Sequence, residues 1–285
     1  MTRFLAMLTL LGFALSSATA EARIQPNVIY GHKDGMALTY DVFHAKEPNG
    51  AAVLFMVSGG WFSIWMPAEQ RLPWFQALLD AGFTVIAVHH GSAPRFKVPD
   101  AVSDVRAAVR HVKTNAADYG IDADRLGVYG GSAGGHLSLM LGLNSEAAPD
   151  SPPEGRRAVG PFYHEAQGDG RVAAVVAYFP PVDLRGLVGP SERFPALNFP
   201  ESEAASISPI QFVSKDDPPI LLVHGDADEL VPISNSEILA EALDAAGVVH
   251  DFVTIEGAGH GFQGPDRDQA SSAMVSWFEQ HLAAD

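Results

Sequence analysis

Six short runs of aliphatic and β-branched residues recur along the chain, at 51–57, 83–88, 126–129, 172–178, 220–223 and 249–255. They mostly lack polar alternation, as strands buried on both faces do. Between them lie stretches of helical character at 68–80, 98–115, 134–143, 234–246 and 266–282. In the second of these, Val102, Val105, Val109 and Val112 recur at three- and four-residue spacing and make one apolar face. Strand and helix alternating at this interval predict an α/β fold with a mostly parallel central sheet and helices on both faces. A hairpin should precede it. Residues 27–44 read as two strands around Lys33-Asp34-Gly35, with Leu38, Tyr40 and Val42 on a buried face.

Two segments break the alternation, 145–170 and 185–209, both rich in Pro, Gly, Ser and charge. They are expected as loops over the carboxyl ends of the strands, where such sheets keep their sites. Phe162, Tyr163 and His164 in the first, and Phe194, Phe199 and Pro200 in the second, are candidates for a cap over such a site. No internal repeat or composition break divides the chain, so residues 21–285 are expected to form one domain.

Residues 1–20 have a different character: Arg3, an apolar run over 4–15, then Ala18-Thr19-Ala20 in the small-x-small pattern of a signal-peptidase site. The run is short for a bilayer span, which favours a removed signal, and hence an exported periplasmic or secreted protein, over an anchor. Cleavage after Ala20 or Ala22 fits the pattern. The chain has no cysteine, which excludes disulfides, thiolate metal sites and a cysteine nucleophile. Its formal charge of −16 becomes −17 once Arg3 is removed, which argues against nucleic acid and anionic membrane surfaces as partners.

The strongest chemical signal is Gly130-Gly131-Ser132-Ala133-Gly134-Gly135-His136, which follows one apolar run and opens a helical one. Glycines on both sides of a serine allow a sharp strand-to-helix turn that pushes the hydroxyl out at the top of a sheet. The starting helix also points its positive end at the site. Phosphate loops use similar turns, but neither G-x-G-x-x-G nor G-K-[ST] occurs in the run around Ser132.

This run, together with Tyr119-Gly-Ile-Asp-Ala-Asp-Arg-Leu-Gly-Val before it, resembles the esterase/lipase branch of the α/β-hydrolases, most closely bacterial feruloyl- and acetyl-esterase-like proteins. The resemblance extends from about residue 51 to the C-terminus. It implies an α/β-hydrolase fold with Ser132 as nucleophile, and the order serine, acid, histidine along the chain.

A serine needs a neutral imidazole to take its proton and a carboxylate to orient that imidazole. His260, in Gly257-Ala-Gly-His-Gly-Phe after the last strand, fits the base. The segment after the preceding strand, Val223-His224-Gly-Asp226-Ala-Asp228-Glu229-Leu-Val-Pro, offers three carboxylates, and spacing does not choose among them. The resemblance points to Asp228, through H-G-x-x-D-x-x-V-P, with Asp226 as the alternative.

The oxyanion needs backbone donors, one of them the amide of Ala133 after the serine. For the other, Val57-Ser58-Gly59-Gly60-Trp61 is similar to the family's H-G-G-G-W loop, with Gly60 the expected donor and Gly59 or Trp61 the alternatives. The chain departs from that pattern at Val57 and Ser58, and again at His89-His90, where the family usually has Tyr-Arg. Trp61 is a candidate substrate contact, within a cluster with Phe62, Trp65 and Trp74 that could line a pocket or cap the core. His136 reads as a packed, hydrogen-bonded histidine.

These readings converge on a serine-dependent carboxylic ester hydrolase. Its expected partner is a small-molecule ester with a small acyl or hydroxycinnamoyl group, polysaccharide-linked esters included, and no metal or organic cofactor is required. Two alternatives stay open. The elbow is also similar to that of prolyl-oligopeptidase-like exopeptidases, which carry a propeller that the short stretch before the first buried run could not supply. A non-catalytic, ligand-binding hydrolase fold would account for Val57 and Ser58.

Overall fold

The computed structural model of the protein describes residues 23–143 and 169–284. Residues 1–20, expected to be a signal segment, and the cap candidates Phe162, Tyr163 and His164 lie outside the described residues. The chain opens with two antiparallel strands, β1 (Ile24–Lys33) and β2 (Met36–Phe43). There follow β3 (Ala52–Val57), α1 (Leu72–Asp80), β4 (Thr84–His89), α2 (Val98–Thr114), α3 (Ala116–Tyr119), β5 (Leu126–Gly131) and α4 (Ala133–Leu143). The second half supplies β6 (Ala174–Tyr178), α5 (Glu201–Ala204), β7 (Ile220–Gly225), α6 (Ser234–Ala246), β8 (His250–Ile255) and α7 (Pro265–His281).

Among the described residues, eight strands form one sheet in the order β1-β2-β4-β3-β5-β6-β7-β8. From β4 to β8 every pairing is parallel, while β2 joins β4 antiparallel, so the hairpin is an antiparallel extension of a parallel core. The hairpin turn sits where expected, with Asp34 and Gly35 at φ of 50° and 81°, the left-handed pair that a tight two-residue turn requires.

Apolar residues of α2, α4 and α6 pack on one face of the sheet. Those of α1 and α7, Phe75, Leu78, Met274 and Phe278 among them, cover the other. Burial on both faces explains why β3 and β4 read as continuous apolar runs. Helix α4 is buried along its whole length, as a helix without a polar face must be. The expectation for β2 holds for Leu38, Tyr40 and Val42 and is incomplete, because Asp41 and Phe43 on the opposite face are buried too.

Candidate active site

Ser132 stands between the last residue of β5 and the first of α4, with a left-handed φ of 55°. Its amide donates to the Tyr178 carbonyl at 2.9 Å. The surrounding glycines are required by close approach. A Cβ on Gly130 would come 2.5 Å from the Gly134 backbone, and one on Gly134 would come 2.8 Å from the Met56 carbonyl oxygen. The elbow therefore wedges the start of α4 against both β5 and the end of β3. Ala133 is the first helical residue, so its amide is among those a helix leaves without an intrahelical partner.

His260 Nε2 lies 2.9 Å from Ser132 Oγ, and His260 Nδ1 lies 2.7 Å from Asp228 Oδ2. The carboxylate acceptor fixes the proton on Nδ1, so Nε2 accepts from the serine hydroxyl. Asp228 is buried, and its Oδ1 accepts from the amides of Leu230 and Val231, each at 2.9 Å. Burial alone would push its carboxyl up, but the hydrogen bonds from Val231, His260 and Leu230 outweigh burial and hold it below the ordinary aspartate value.

Of the two aspartates left open by spacing, Asp228 is the one that faces His260. Asp226 is exposed and its Oδ1 accepts from the Gly257 amide at 2.6 Å, tying the acid loop to the histidine loop. His224, fully buried behind the acid, has Nε2 2.8 Å from the Val231 carbonyl oxygen and 3.4 Å from Asp228 Oδ2. Its Nδ1 accepts from Ser236 Oγ at 2.8 Å.

After β3 the chain makes a tight turn. Gly59 and Phe62 exchange two backbone hydrogen bonds of 3.0 Å, and the two residues between them, Gly60 and Trp61, have φ of 56° and 59°. The Gly59 amide is thus committed to the Phe62 carbonyl, which corrects its place among the oxyanion donors: it closes the turn. The amides of Gly60 and Trp61 have no hydrogen-bond partner among the described residues.

Trp61 is 5% exposed, and its Nε1 donates to His136 Nδ1 at 3.4 Å, while His136 Nε2 donates to the Ile207 carbonyl at 2.7 Å. The indole anchors the turn and offers little surface to a substrate. The aromatic cluster expected around it does not form as a unit, since Trp65 and Trp74 are 60% and 55% exposed.

The segment 185–209 does reach the turn. The Phe194 ring packs against Gly60, where an added Cβ would stand 3.1 Å away, and Lys97 Nζ donates to the Pro195 carbonyl at 2.8 Å. Phe199 packs against the same core cluster as Trp61 and Ala133. The paired histidines part company: His89 Nε2 faces Asp41 Oδ2 at 3.5 Å, and His90 Nε2 faces Ser58 Oγ at 2.9 Å.

One residue that no motif marked sits at the centre. Phe179 follows β6 with a φ of 38°, and its ring contacts the rings of His260, Phe262 and His224. Its position just past the carboxyl end of a strand was the available signal.

The whole arrangement can take a proton from a serine hydroxyl, stabilise the resulting imidazolium, and offer backbone donors nearby. Among known families, BD-FAE matches residues 40–243. Esterase LipQ of Mycobacterium tuberculosis is 29% identical over 223 residues, covering 74% of this chain and 50% of its own length. The probable carboxylic ester hydrolase LipM of the same organism is 30% identical over 207 residues, covering 68% and 45%. The chain thus spans about half the length of the curated relatives it matches. A truncated form of a carbohydrate esterase from gut microbiota superposes with a TM-score of 0.75 at 31% identity, covering 92% of this chain and 96% of that one.

Proposed function

The chain belongs to the BD-FAE family and has the α/β-hydrolase fold, and from that premise we propose that it hydrolyses carboxylic esters through an acyl group carried on Ser132. The observation that carries this is the unbroken chain from Ser132 Oγ through His260 to the buried Asp228, at 2.9 and 2.7 Å. Ser132 Oγ attacks the ester carbonyl carbon as its proton passes to His260 Nε2. The carbonyl electron pair moves onto oxygen, where the amides of Ala133 and Gly60 stabilise it. Collapse expels the alcohol, which takes the proton from His260. Water then attacks the acyl carbon with His260 again as base, and the carboxylic acid leaves as Ser132 regains its proton.

The substrates are esters of small acyl or hydroxycinnamoyl groups, including those attached to polysaccharides. The esterase names of the relatives support the reaction class, and the similarity to a carbohydrate esterase supports a sugar as the alcohol. Residues 1–20 support export of the protein with removal of that segment, so the mature chain should begin at Glu21 or Arg23 on N-terminal sequencing.

The test is release of p-nitrophenol from acetate, butyrate and octanoate esters by the protein and by Ser132→Ala. The reading expects turnover that falls with acyl length and drops by about 10⁴-fold or more in the variant. Equal, trace release from both proteins would contradict it and favour a peptide substrate or a non-catalytic role.

A further inference from the structure

The two places where the chain departs from the esterase pattern meet in space. Ser58, at the start of the oxyanion turn, lies with its Oγ 2.9 Å from Nε2 of His90, one residue past β4. His90 Nδ1 donates to the Gly91 carbonyl at 2.9 Å, so Nε2 carries no proton and accepts from the Ser58 hydroxyl. Burial lowers this imidazole to about 4, which keeps it neutral near pH 7. The ring is also fixed from behind: the Gly91 amide donates to Asp104 Oδ2 at 2.8 Å, and Asp104 Oδ1 is held by Lys33 Nζ at 2.8 Å.

We propose that Ser58 and His90 act as a pair of positioning residues that hold the oxyanion turn 59–62 in register with the nucleophile elbow. The need for a brace is local. Trp61 occupies a left-handed conformation that an L side chain adopts only when its surroundings impose it. Its carbonyl accepts from the Ala93 amide at 3.1 Å, and Ser63 bonds residues 90 and 92, through its Oγ to the His90 amide at 3.2 Å and from its own amide to Ser92 Oγ at 3.0 Å. Those bonds fix the far side of the turn to the segment 90–93. On the near side, the Ser58 hydroxyl makes the corresponding bond to that segment. The Ser58 carbonyl lies 3.4 Å from where a Gly134 Cβ would stand, so a shift of Ser58 is a shift against the first turn of α4. Loss of the hydroxyl bond therefore moves the Gly60 donor relative to Ser132 without touching either residue.

This inference rests on the ester-hydrolysis reading, and its test separates the two. Steady-state kinetics on p-nitrophenyl butyrate are compared for the unsubstituted protein, Ser58→Ala, Ser58→Thr, His90→Gln and the double variant Ser58→Ala/His90→Gln. Amide hydrogen exchange of the peptide spanning residues 57–64 is followed alongside. The expected result is a kcat lower by about tenfold or more in Ser58→Ala with KM within about twofold, because the oxyanion exists only in the transition state. Ser58→Thr, which keeps the hydroxyl, should recover most of the rate, the double variant should be no slower than His90→Gln, and exchange over 57–64 should quicken in Ser58→Ala. Unchanged kcat and unchanged exchange in Ser58→Ala, in a protein whose turnover Ser132→Ala abolishes, would overturn the pair while leaving the hydrolysis intact. Additive losses in the double variant would also overturn it. Absence of turnover in the unsubstituted protein would overturn the hydrolysis reading, and the pair's catalytic purpose with it.

Discussion

The ring of Phe179 lies against the imidazole of His260, with centroids 4.7 Å apart and planes tilted by 59°. Phe179 holds that place at a left-handed φ of 38°, which costs a bulky residue on the order of 1 kcal/mol or more. The same ring crowds Gly131, since a Cβ there would stand 3.0 Å from it. One aromatic thus sits between the elbow and the base. Phe179→Leu, which keeps apolar bulk but loses the flat face, should lower kcat about tenfold with little change in KM. Kinetics indistinguishable from those of the unsubstituted protein would show that the imidazole needs no such seat.

The two aspartates of the acid loop should separate cleanly. Asp228→Asn replaces the carboxylate that fixes the His260 tautomer, and kcat should fall by about 10³- to 10⁴-fold. Asp226→Asn removes only an exposed tie to the Gly257 amide and should cost less than about tenfold. Comparable losses from both would contradict the assignment of the acid.

Gly225 ends β7 in direct contact with Ala258 of the histidine loop, and any Cβ there would run into the Ala258 carbonyl oxygen. Gly225→Ala should destabilise the protein by about 2–3 kcal/mol in urea unfolding, as overpacking does. Because Ala258 lies two residues before His260, activity should fall further than the folded fraction alone accounts for.

The buried histidine behind the oxyanion turn predicts an acid sensitivity. Burial lowers the His136 imidazole to about 4, against about 6.5 in an unfolded chain. Between those values the unfolded chain binds a proton that the folded one does not, so this contribution to stability is complete above pH 6.5 and is lost as pH falls toward 4. Protonation also removes the acceptor that Trp61 Nε1 uses. The unfolding midpoint of His136→Gln should therefore depend less on pH across this window. An identical slope in both proteins would contradict the neutral, buried state of His136.

What the sequence disclosed and what it withheld follow from the range of the interactions. Ser132, the strand before it and the helix after it are local, so the glycine pattern around one residue carried them. His260 was legible because a loop of glycines between a strand and a helix leaves few other uses for an imidazole. Asp226 and Asp228 could not be told apart by spacing. Their difference lies in which carboxylate turns inward to His260 and which outward to the Gly257 amide, and that depends on how the acid loop meets the histidine loop, some thirty residues on. The loss of the Gly59 donor came from a turn whose closure depends on Phe62, three residues on. Ser58 and His90, like Phe179 and His260, are partners brought together by the parallel sheet across 32 and 81 positions, and no periodicity within either segment announces them.

The most direct test of the account is covalent. The protein would be incubated with diethyl p-nitrophenyl phosphate, whose phosphorus the activated serine attacks with loss of p-nitrophenol, and then analysed by intact mass and peptide mapping. One diethylphosphoryl group per chain, on Ser132 and absent from Ser132→Ala, is the result predicted. An unmodified protein, or an adduct on another residue that persists in Ser132→Ala, would contradict the claim that His260 and Asp228 make Ser132 a nucleophile.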